Sequence, residues 1–175
     1  MKIDSMQHLI NANLHFLDQA ECLLGGVADH QYARPVDNFY SSTLGQHFRH
    51  CLDHYASFLN GMRSARIDYD ARERAEDLEI STDYAIQEIT RIRAQLIELG
   101  RSEPPVELLV KVDCGTQTDE YQPSTPGREL QFLVSHTVHH FAMIGGMCCC
   151  LGIGMEPDFG VAPSTLRHRE TASID

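Results

Sequence analysis

Four segments of this chain repeat their apolar residues at the spacing of an α-helix, and this pattern limits the possible folds more than any other feature. We predict helices over residues 5–24, 43–62, 81–100 and 126–151. A helix with an apolar residue at every third or fourth position buries that stripe against neighbouring helices. The sequence therefore predicts an all-α fold, a four-helix bundle with one short extended segment between its third and fourth helices.

Residues that start and stop helices lie where this assignment needs them. They are Gly25 and Gly26 after the first helix, Ser41 or Ser42 as the cap of the second, Ser81 as the cap of the third and Pro126 in the first turn of the fourth. Glycine commonly follows the last turn of a helix, and a serine hydroxyl accepts a hydrogen bond from the first turn. Proline in the first turn loses no helical hydrogen bond.

The segments between the helices show less regular patterns. Residues 27–40 contain Pro35 and no periodicity, which predicts a loop. Residues 106–112 have the β-branched composition of a short strand, and a polar loop follows them. We expect residues 153–175 to form an irregular C-terminal tail. Because no repeat or linker divides the chain, residues 1–175 are predicted to be one domain.

Charge and hydropathy exclude several classes of protein. The chain carries 14 Lys and Arg against 25 Asp and Glu, a formal net charge of −11. The basic residues of 63–74 alternate with acids, so no basic surface is predicted for a nucleic-acid partner. No segment has the apolar length of a membrane span, and the N-terminus lacks the pattern of a secretory signal. We predict a cytoplasmic protein with no membrane partner.

Six cysteines in such a chain are expected to be free thiols. Three are isolated, and the others form the run Cys148, Cys149 and Cys150. Consecutive residues of a helix point in different directions, which makes this run a poor metal site. We expect it to pack near a helix end.

Histidines concentrate in two of the predicted helices, as His47, His50 and His54 in the second and His136, His139 and His140 in the fourth. At 100° per residue, His136 and His140 lie about 40° apart on the apolar stripe, the arrangement of HxxxH metal ligands. Hydrogen bonds to polar groups are the alternative role for this pair. The second helix is less decisive, since periodicity alone favours His47 or His54 over His50 as the inward residue.

Two segments carry a family resemblance. TLGQHFRHCLD (residues 43–53) resembles the second-helix pattern of the DinB/YfiT-like family, in which Ser or Thr lies seven residues before a His followed by two mostly apolar residues and Asp. SHTVHH (residues 135–140) resembles the closing HxxHH pattern of the same family. The chain departs after His140, because Phe141, Ala142 and Met143 stand where many members continue with Arg-Gly-Gln.

The resemblance implies a four-helix bundle with a mononuclear three-histidine metal site. Its ligands would be His50, His136 and His140, with Asp53 as the companion of His50. Three neutral imidazoles leave a coordination position open, unlike a closed structural zinc site. Zinc fits this donor set best, and nickel, iron or manganese are acceptable to imidazole.

The resemblance also implies a metal-dependent enzyme acting on a small-molecule substrate. The chemistry expected is transfer or isomerisation with a low-molecular-weight thiol, or hydrolysis, and related bundles often form homodimers. Glu129 lies about 20° from His136 on the helix and two turns before it. It is a candidate base or a group that orients a ligand ring, or simply an acid favoured by the helix dipole.

Two other hypotheses stay open. The chain could be a non-catalytic bundle whose metal ties two helices together. It could also be a hemerythrin-like di-iron protein, because His50 and His54 form a second HxxxH pair. Bridging carboxylates at matching spacing are missing from the sequence, which weighs against the di-iron hypothesis.

Overall fold

The computed structural model describes residues 2–71, 75–112, 115 and 119–172. Its helices are α1 (Lys2–Leu24), α2 (Asp29–Tyr32), α3 (Leu44–Ser64), α4 (Asp77–Ile80), α5 (Thr82–Arg101), α6 (Pro126–Leu151) and α7 (Pro163–Ala172). Its strands are β1 (Arg66–Ile67), β2 (Leu108–Lys111) and β3 (Tyr121–Ser124). The protein is thus mostly helical, with a small three-stranded sheet.

The four long helices α1, α3, α5 and α6 correspond to the four predicted helices. Helix α1 packs against α5 and α6, and α3 packs against the same two helices. The apolar stripes meet in one core, whose largest fully buried side chains include Phe16, Tyr55, Phe58 and Phe141. In the part of the chain that the structure describes, no helix is long and apolar enough to cross a membrane.

A buried polar network joins three of these helices at the centre of the core. The Tyr55 hydroxyl of α3 donates to Asn13 Oδ1 of α1 at 2.9 Å and lies 3.2 Å from the Thr137 hydroxyl of α6. The Asn13 amide donates to the backbone carbonyl of Leu130, also in α6, at 3.1 Å. Such satisfied buried groups fix helix register, because a shift of one helix would leave each of them unpaired at a cost of about 1–3 kcal/mol.

The cap of the third helix and the first-turn proline of the fourth are confirmed, whereas the predicted cap of the second helix is wrong. Ser81 accepts a hydrogen bond from the first turn of α5, and Pro126 begins α6. The cap of α3 is Thr43, which exchanges two hydrogen bonds with Gln46 in a capping box. Ser42 is not the cap; its hydroxyl donates to the carbonyl of Phe39 and lies 3.0 Å from Nε2 of His47.

The prediction that residues 27–40 form a loop is wrong in part, because they contain α2 and a 3-10 turn (Asp37–Phe39). Tertiary contacts stabilise this short helix. Asp29 accepts hydrogen bonds from Thr82 at the start of α5, and the Tyr32 hydroxyl donates to the carbonyl of Leu78 in α4. Four residues lack the length to show a helical period in the sequence.

The short extended segment predicted before the fourth helix is confirmed as β2. It pairs in parallel with β1 and antiparallel with β3. The sequence prediction missed both partners, since β1 has two residues and β3 is polar and contains Pro123. The sheet holds the segment after β1 against the start of α6, where the Tyr69 hydroxyl donates to Glu129.

The prediction of an irregular tail at 153–175 is wrong for residues 163–172, which form α7. This helix has charged or hydroxyl residues on most sides, so no apolar stripe marks it in the sequence. The segment before it docks firmly. Phe159 stacks on Phe141 with ring centroids 4.7 Å apart, and the Gly160 amide donates to the Gln19 side chain.

The free thiols are confirmed for the cysteines that the structure describes. Cys22, Cys149 and Cys150 are exposed, whereas Cys51 and Cys148 are buried. Only Cys148 of the consecutive run therefore packs into the core. Cys114 lies outside the described residues.

Candidate metal centre

Helices α3 and α6 lie side by side and present three histidines to one another. Ring nitrogens of His50, His136 and His140 all lie within 4.8 Å of one another. The Nε2 atoms of His50 and His136 are 3.1 Å apart. All three rings are half-buried. The structure thus brings together the three residues that the sequence singled out.

Helical spacing and an interhelical hydrogen bond explain this arrangement. His136 and His140 lie one turn apart on α6, so their rings share one face with centroids 4.6 Å apart. His50 faces them from the adjoining helix. The hydrogen bond between Tyr55 and Thr137 fixes α3 against α6 close to this level.

His47 lies directly beside the cluster. Its Nδ1 atom is 3.1 Å from Nδ1 of His140, and its Nε2 atom is 3.0 Å from the Ser42 hydroxyl. Burial, with a smaller contribution from His139, lowers the pKa of His47. Burial and the neighbouring histidine rings lower the pKa of His140 to about 3. Both rings are therefore neutral near pH 7, the form in which imidazole binds metals.

His54 supports the cluster from the other side. Its Nδ1 donates to the backbone carbonyl of His50 at 2.8 Å. Its ring stacks on His136, with centroids 4.0 Å apart, and on Tyr69, with centroids 5.4 Å apart. His47 and His54 are the more buried histidines of α3, as periodicity predicted, yet His50 is the one that joins the cluster.

Glu129 lies in the first turn of α6 and is 3% exposed. Its carboxylate accepts hydrogen bonds from the Tyr69 hydroxyl at 2.8 Å and from the Ser124 hydroxyl at 2.5 Å. Burial, together with the negative charge of Glu129, raises the pKa of Tyr69 well above its usual range. Glu129 is therefore connected to the histidines through the ring of Tyr69, which stacks on His54.

An open cleft of about 300 Å³ adjoins this side of the cluster. Its lining includes Tyr69, Val110, Gln122, Arg128, Glu129 and Phe132. Phe132 reaches from the cleft toward the cluster, with its ring centroid 5.6 Å from that of His136. Tyr69 and Phe132 thus connect the cleft to the histidine cluster, although none of the three clustered histidines lines it.

Comparison with known proteins places the chain in a family. The model of the DinB superfamily matches residues 15–144, a span that contains all three clustered histidines. The chain belongs to the DinB superfamily. The relatives of this DinB protein include FK506-binding protein 5 of Rhizopus delemar, 33% identical over 105 residues, which are 58% of this chain and 27% of that protein. The chain thus spans about a quarter of that relative's length, and no solved structure matches it.

The donor set of this DinB protein fits a divalent metal. Three imidazoles, borderline ligands that suit zinc, nickel and iron, converge from two helices. Among the described residues, the cluster contains neither carboxylate nor thiolate. Asp53, expected as the companion of His50, forms an ion pair with Arg49 at 2.9 Å. Arg49 in turn pairs with Glu79 of α4.

The departure from the family pattern after His140 has a structural explanation. Phe141 is almost fully buried. It packs edge-on against Phe16 and Phe48 and stacks on Phe159. The first position after the histidines thus serves the core of this DinB protein rather than its metal centre.

Sequence reasoning missed two residues of the site, Tyr69 and Ser42. Tyr69 lies within residues 63–74, whose alternating charges predict only the absence of a basic surface. For Ser42, the sequence predicts only a candidate role as a helix cap. The contact of Tyr69 with Glu129 depends on how distant segments meet, and the contacts of Ser42 depend on the conformation of the loop around Phe39. The local sequence shows no sign of either.

Proposed function

We propose that this protein is a metal-dependent enzyme that binds one divalent ion, preferably zinc, through His50, His136 and His140. The observation that supports it is the convergence of three ring nitrogens within 4.8 Å, on helices that a buried polar network holds in register. The proposal includes a four-helix bundle of α1, α3, α5 and α6 as the scaffold. Two of the three ligands, one turn apart, come from a single rigid helix.

The half-buried position of the rings suits catalysis. Three protein ligands leave one coordination position, as catalytic zinc sites do. When bound, the metal supplies Lewis acidity, which lowers the pKa of a thiol or water ligand or polarises a carbonyl. The rings of Tyr69 and Phe132 pack against His54 and His136 and also line the adjoining cleft. The adjoining cleft would admit the small-molecule substrate.

The reaction class follows from the family resemblance and from the accessible site. We propose transfer or isomerisation with a low-molecular-weight thiol, or hydrolysis. Glu129 lines the cleft with a buried carboxylate, which accepts a hydrogen bond from the Tyr69 hydroxyl. It would act on the reaction through Tyr69, which lines the same cleft.

A non-catalytic metal site is the second candidate. Its supporting observation is that the ligands come from two helices, α3 and α6, which a metal would tie together. A di-iron centre has less support. Among the described residues, the histidine cluster includes no bridging carboxylate.

Metal content per chain tests the site itself. Protein purified without an affinity tag is analysed by mass spectrometry, as wild type and as His50→Ala, His136→Ala and His140→Ala. We expect about one metal per wild-type chain and its loss in each variant. His139→Ala is the matched control, because His139 is exposed on the same helix turn and lies outside the cluster. Retention of metal in all three variants would refute the site.

Activity assays then separate the enzyme from the structural candidate. Zinc-loaded and metal-free proteins are tested with a panel of small thiols and electrophilic acceptors, and with esters and amides. Turnover that needs zinc and is lost in His140→Ala supports the enzyme. Zinc binding without turnover on any of these substrates would favour the structural role.

A further inference from the structure

His47 belongs to a chain of hydrogen bonds that runs from the carbonyl of Phe39 through Ser42 to His140. In this chain, each donor and acceptor follows from the position of its proton. The Ser42 hydroxyl has one proton and donates it to the carbonyl of Phe39 at 2.6 Å. The same oxygen lies 3.0 Å from Nε2 of His47. Because the hydroxyl proton is already used, the oxygen accepts, and Nε2 of His47 must carry the proton.

The direction of this chain extends to His140. A neutral imidazole protonated at Nε2 has a lone pair at Nδ1. Nδ1 of His47 faces Nδ1 of His140 at 3.1 Å, so His140 donates and carries its proton at Nδ1. Two protonated Nδ1 atoms at this distance would repel each other. The lone pair of His140 is therefore at Nε2.

The loop that carries Ser42 is itself fixed. Ser42 and Val36 form an isolated β-bridge, and the backbone amide of Val36 donates to the carbonyl of Ser42 at 2.9 Å. Tyr40 and Ser41, which lie in the loop between Val36 and Ser42, have left-handed backbone conformations with φ of 56° and 55°. Such conformations cost energy in residues other than glycine and persist only where surrounding contacts impose them.

The fixing contact is made by Phe39. A Cβ atom added at Gly146 of α6 would lie 2.6 Å from the Phe39 ring, so this ring sits directly on the helix backbone. The loop is thereby attached to the same helix that carries His140. Ser42 is held at a defined position relative to that histidine.

We infer that Ser42 and His47 are positioning residues that hold His140 in its Nδ1-protonated tautomer and leave Nε2 ready to bind the metal. The inference rests on the proposed function for the role of Nε2, but the tautomer itself does not. Groups that hydrogen-bond the second nitrogen of a ligating histidine fix its tautomer and orientation, and their loss typically lowers metal affinity about 10- to 100-fold. In this protein, the group that hydrogen-bonds the ligand His140 is His47, whose own tautomer is fixed by Ser42.

Two measurements on the full chain test the inference. The first is the tautomer of each ring in metal-free, 15N-labelled protein at pH 7.5, from long-range proton–nitrogen correlation spectra. We expect His140 to be protonated at Nδ1 and His47 at Nε2. The second is zinc affinity by competition with a chromophoric chelator, which needs no enzyme activity.

The variants separate the hydrogen bond from the packing. His47→Leu removes the acceptor, so His140 should lose its fixed tautomer and zinc affinity should fall about 10- to 100-fold. His47→Asn returns an acceptor oxygen near the position of Nδ1 and should restore both readouts. Ser42→Ala should leave His47 in mixed tautomers. His139→Leu, next to His140 but outside the hydrogen-bond chain, should change neither readout.

Several outcomes would overturn the inference. One is wild-type His140 protonated at Nε2. Another is His47→Leu with unchanged tautomer and zinc affinity. If His47→Leu fails to fold, unchanged tautomers of His47 and His140 in Ser42→Ala would contradict it equally. Failure of the wild type to bind zinc would instead refute the proposed function, while the spectra would still decide the tautomer.

Discussion

At the scale of single residues, the site depends on polar groups whose partners come from distant parts of the chain. Glu129 is the main example, because a polar side chain only 3% exposed needs hydrogen-bond donors within the protein in place of water. Its donors are Tyr69, from the segment after β1, and Ser124, at the end of β3. The small sheet thus positions the two hydroxyls that donate to Glu129.

The variant Tyr69→Phe tests the contribution of the Tyr69–Glu129 hydrogen bond to stability. The change removes the hydrogen bond to Glu129 and keeps the ring that stacks on His54. We expect the free energy of unfolding to fall by about 1–3 kcal/mol, because a buried carboxylate loses a donor, while zinc affinity changes little. Urea denaturation measures the first quantity. Tyr84→Phe, in an exposed part of α5, is the control and should stay within about 0.5 kcal/mol of wild type.

Equal stability of Tyr69→Phe and wild type would show that the hydrogen bond contributes nothing. A large loss of zinc affinity in Tyr69→Phe would show that the hydroxyl, rather than the stacked ring, supports the histidines. Tyr69→Ala separates these effects further, since it removes both the ring and the hydroxyl.

At the scale of secondary-structure elements, close approach of two helices fixes the ion pairs beside the site. A Cβ atom added at Gly45 of α3 would lie 2.0 Å from the backbone oxygen of Glu79 in α4. Glycine is therefore required for α4 to approach α3. That approach brings Glu79 to Arg49, which also holds Asp53.

Gly45→Ala is expected to push α4 away and to lower the free energy of unfolding by about 1–3 kcal/mol, as overpacking usually does. Gly127→Ala in α6 is the matched control. Its added Cβ would meet Leu9 at an ordinary 3.7 Å. Because Ala favours a helix over Gly by up to about 1 kcal/mol, this variant should be neutral or stabilised. A neutral Gly45→Ala would contradict the close approach.

The contact between α2 and α5 predicts a pH dependence. Hydrogen bonds from the backbone and side chain of Thr82 hold the pKa of Asp29 below its ordinary value. The ionised carboxylate therefore stabilises the fold above the ordinary Asp pKa of about 3.9, and this contribution is lost as the pH falls through the lower folded-state pKa. Asp29→Ala should be less stable than wild type at pH 7.

The difference between the two proteins should shrink as the pH falls from 4 toward 3, and urea denaturation at each pH measures it. Glu103→Ala, which removes an exposed carboxylate, is the control. A difference that stays constant down to pH 3 would show that the ionised form of Asp29 has no special role.

Long periodic elements could be predicted from the sequence, and short or unpatterned ones could not. Helix α6 follows from its apolar stripe and from Pro126, whereas α7 lacks such a stripe. The strands β1 and β3 form only because β2 lies between them, so their pairing depends on tertiary contacts. Thr43 and Ser42 are equally good caps by residue type, and only the fold around Phe39 decides between them.

The same distinction holds for the site. His136 and His140 follow from their spacing of four residues within an apolar stripe. His50 needed the family resemblance, since periodicity favours its buried neighbours His47 and His54. The hydrogen bond between His47 and His140 depends on the loop that carries Ser42, and no local sequence pattern predicts the conformation of that loop.

At the scale of the whole molecule, metal binding should add to the stability of the fold. Ligands on α3 and α6 would be joined only in the folded state, so a bound ion shifts the equilibrium toward it. We expect zinc at 100 times its dissociation constant to raise the free energy of unfolding by about 2.7 kcal/mol. Chemical denaturation with zinc and with a chelator measures this increase.

His140→Ala should show no such increase, and His139→Ala should behave as wild type. An equal increase in His140→Ala would mean that zinc stabilises the fold from another site. The exposed thiols of Cys149 and Cys150 are then the first place to look.

The most direct test of the metal centre is a crystal structure of zinc-loaded protein with anomalous data collected at the zinc edge. We predict one anomalous peak per chain, bonded to one ring nitrogen from each of His50, His136 and His140 at about 2.0–2.1 Å. A peak at the cysteine run, two peaks between α3 and α6, or no peak at the three histidines would contradict it.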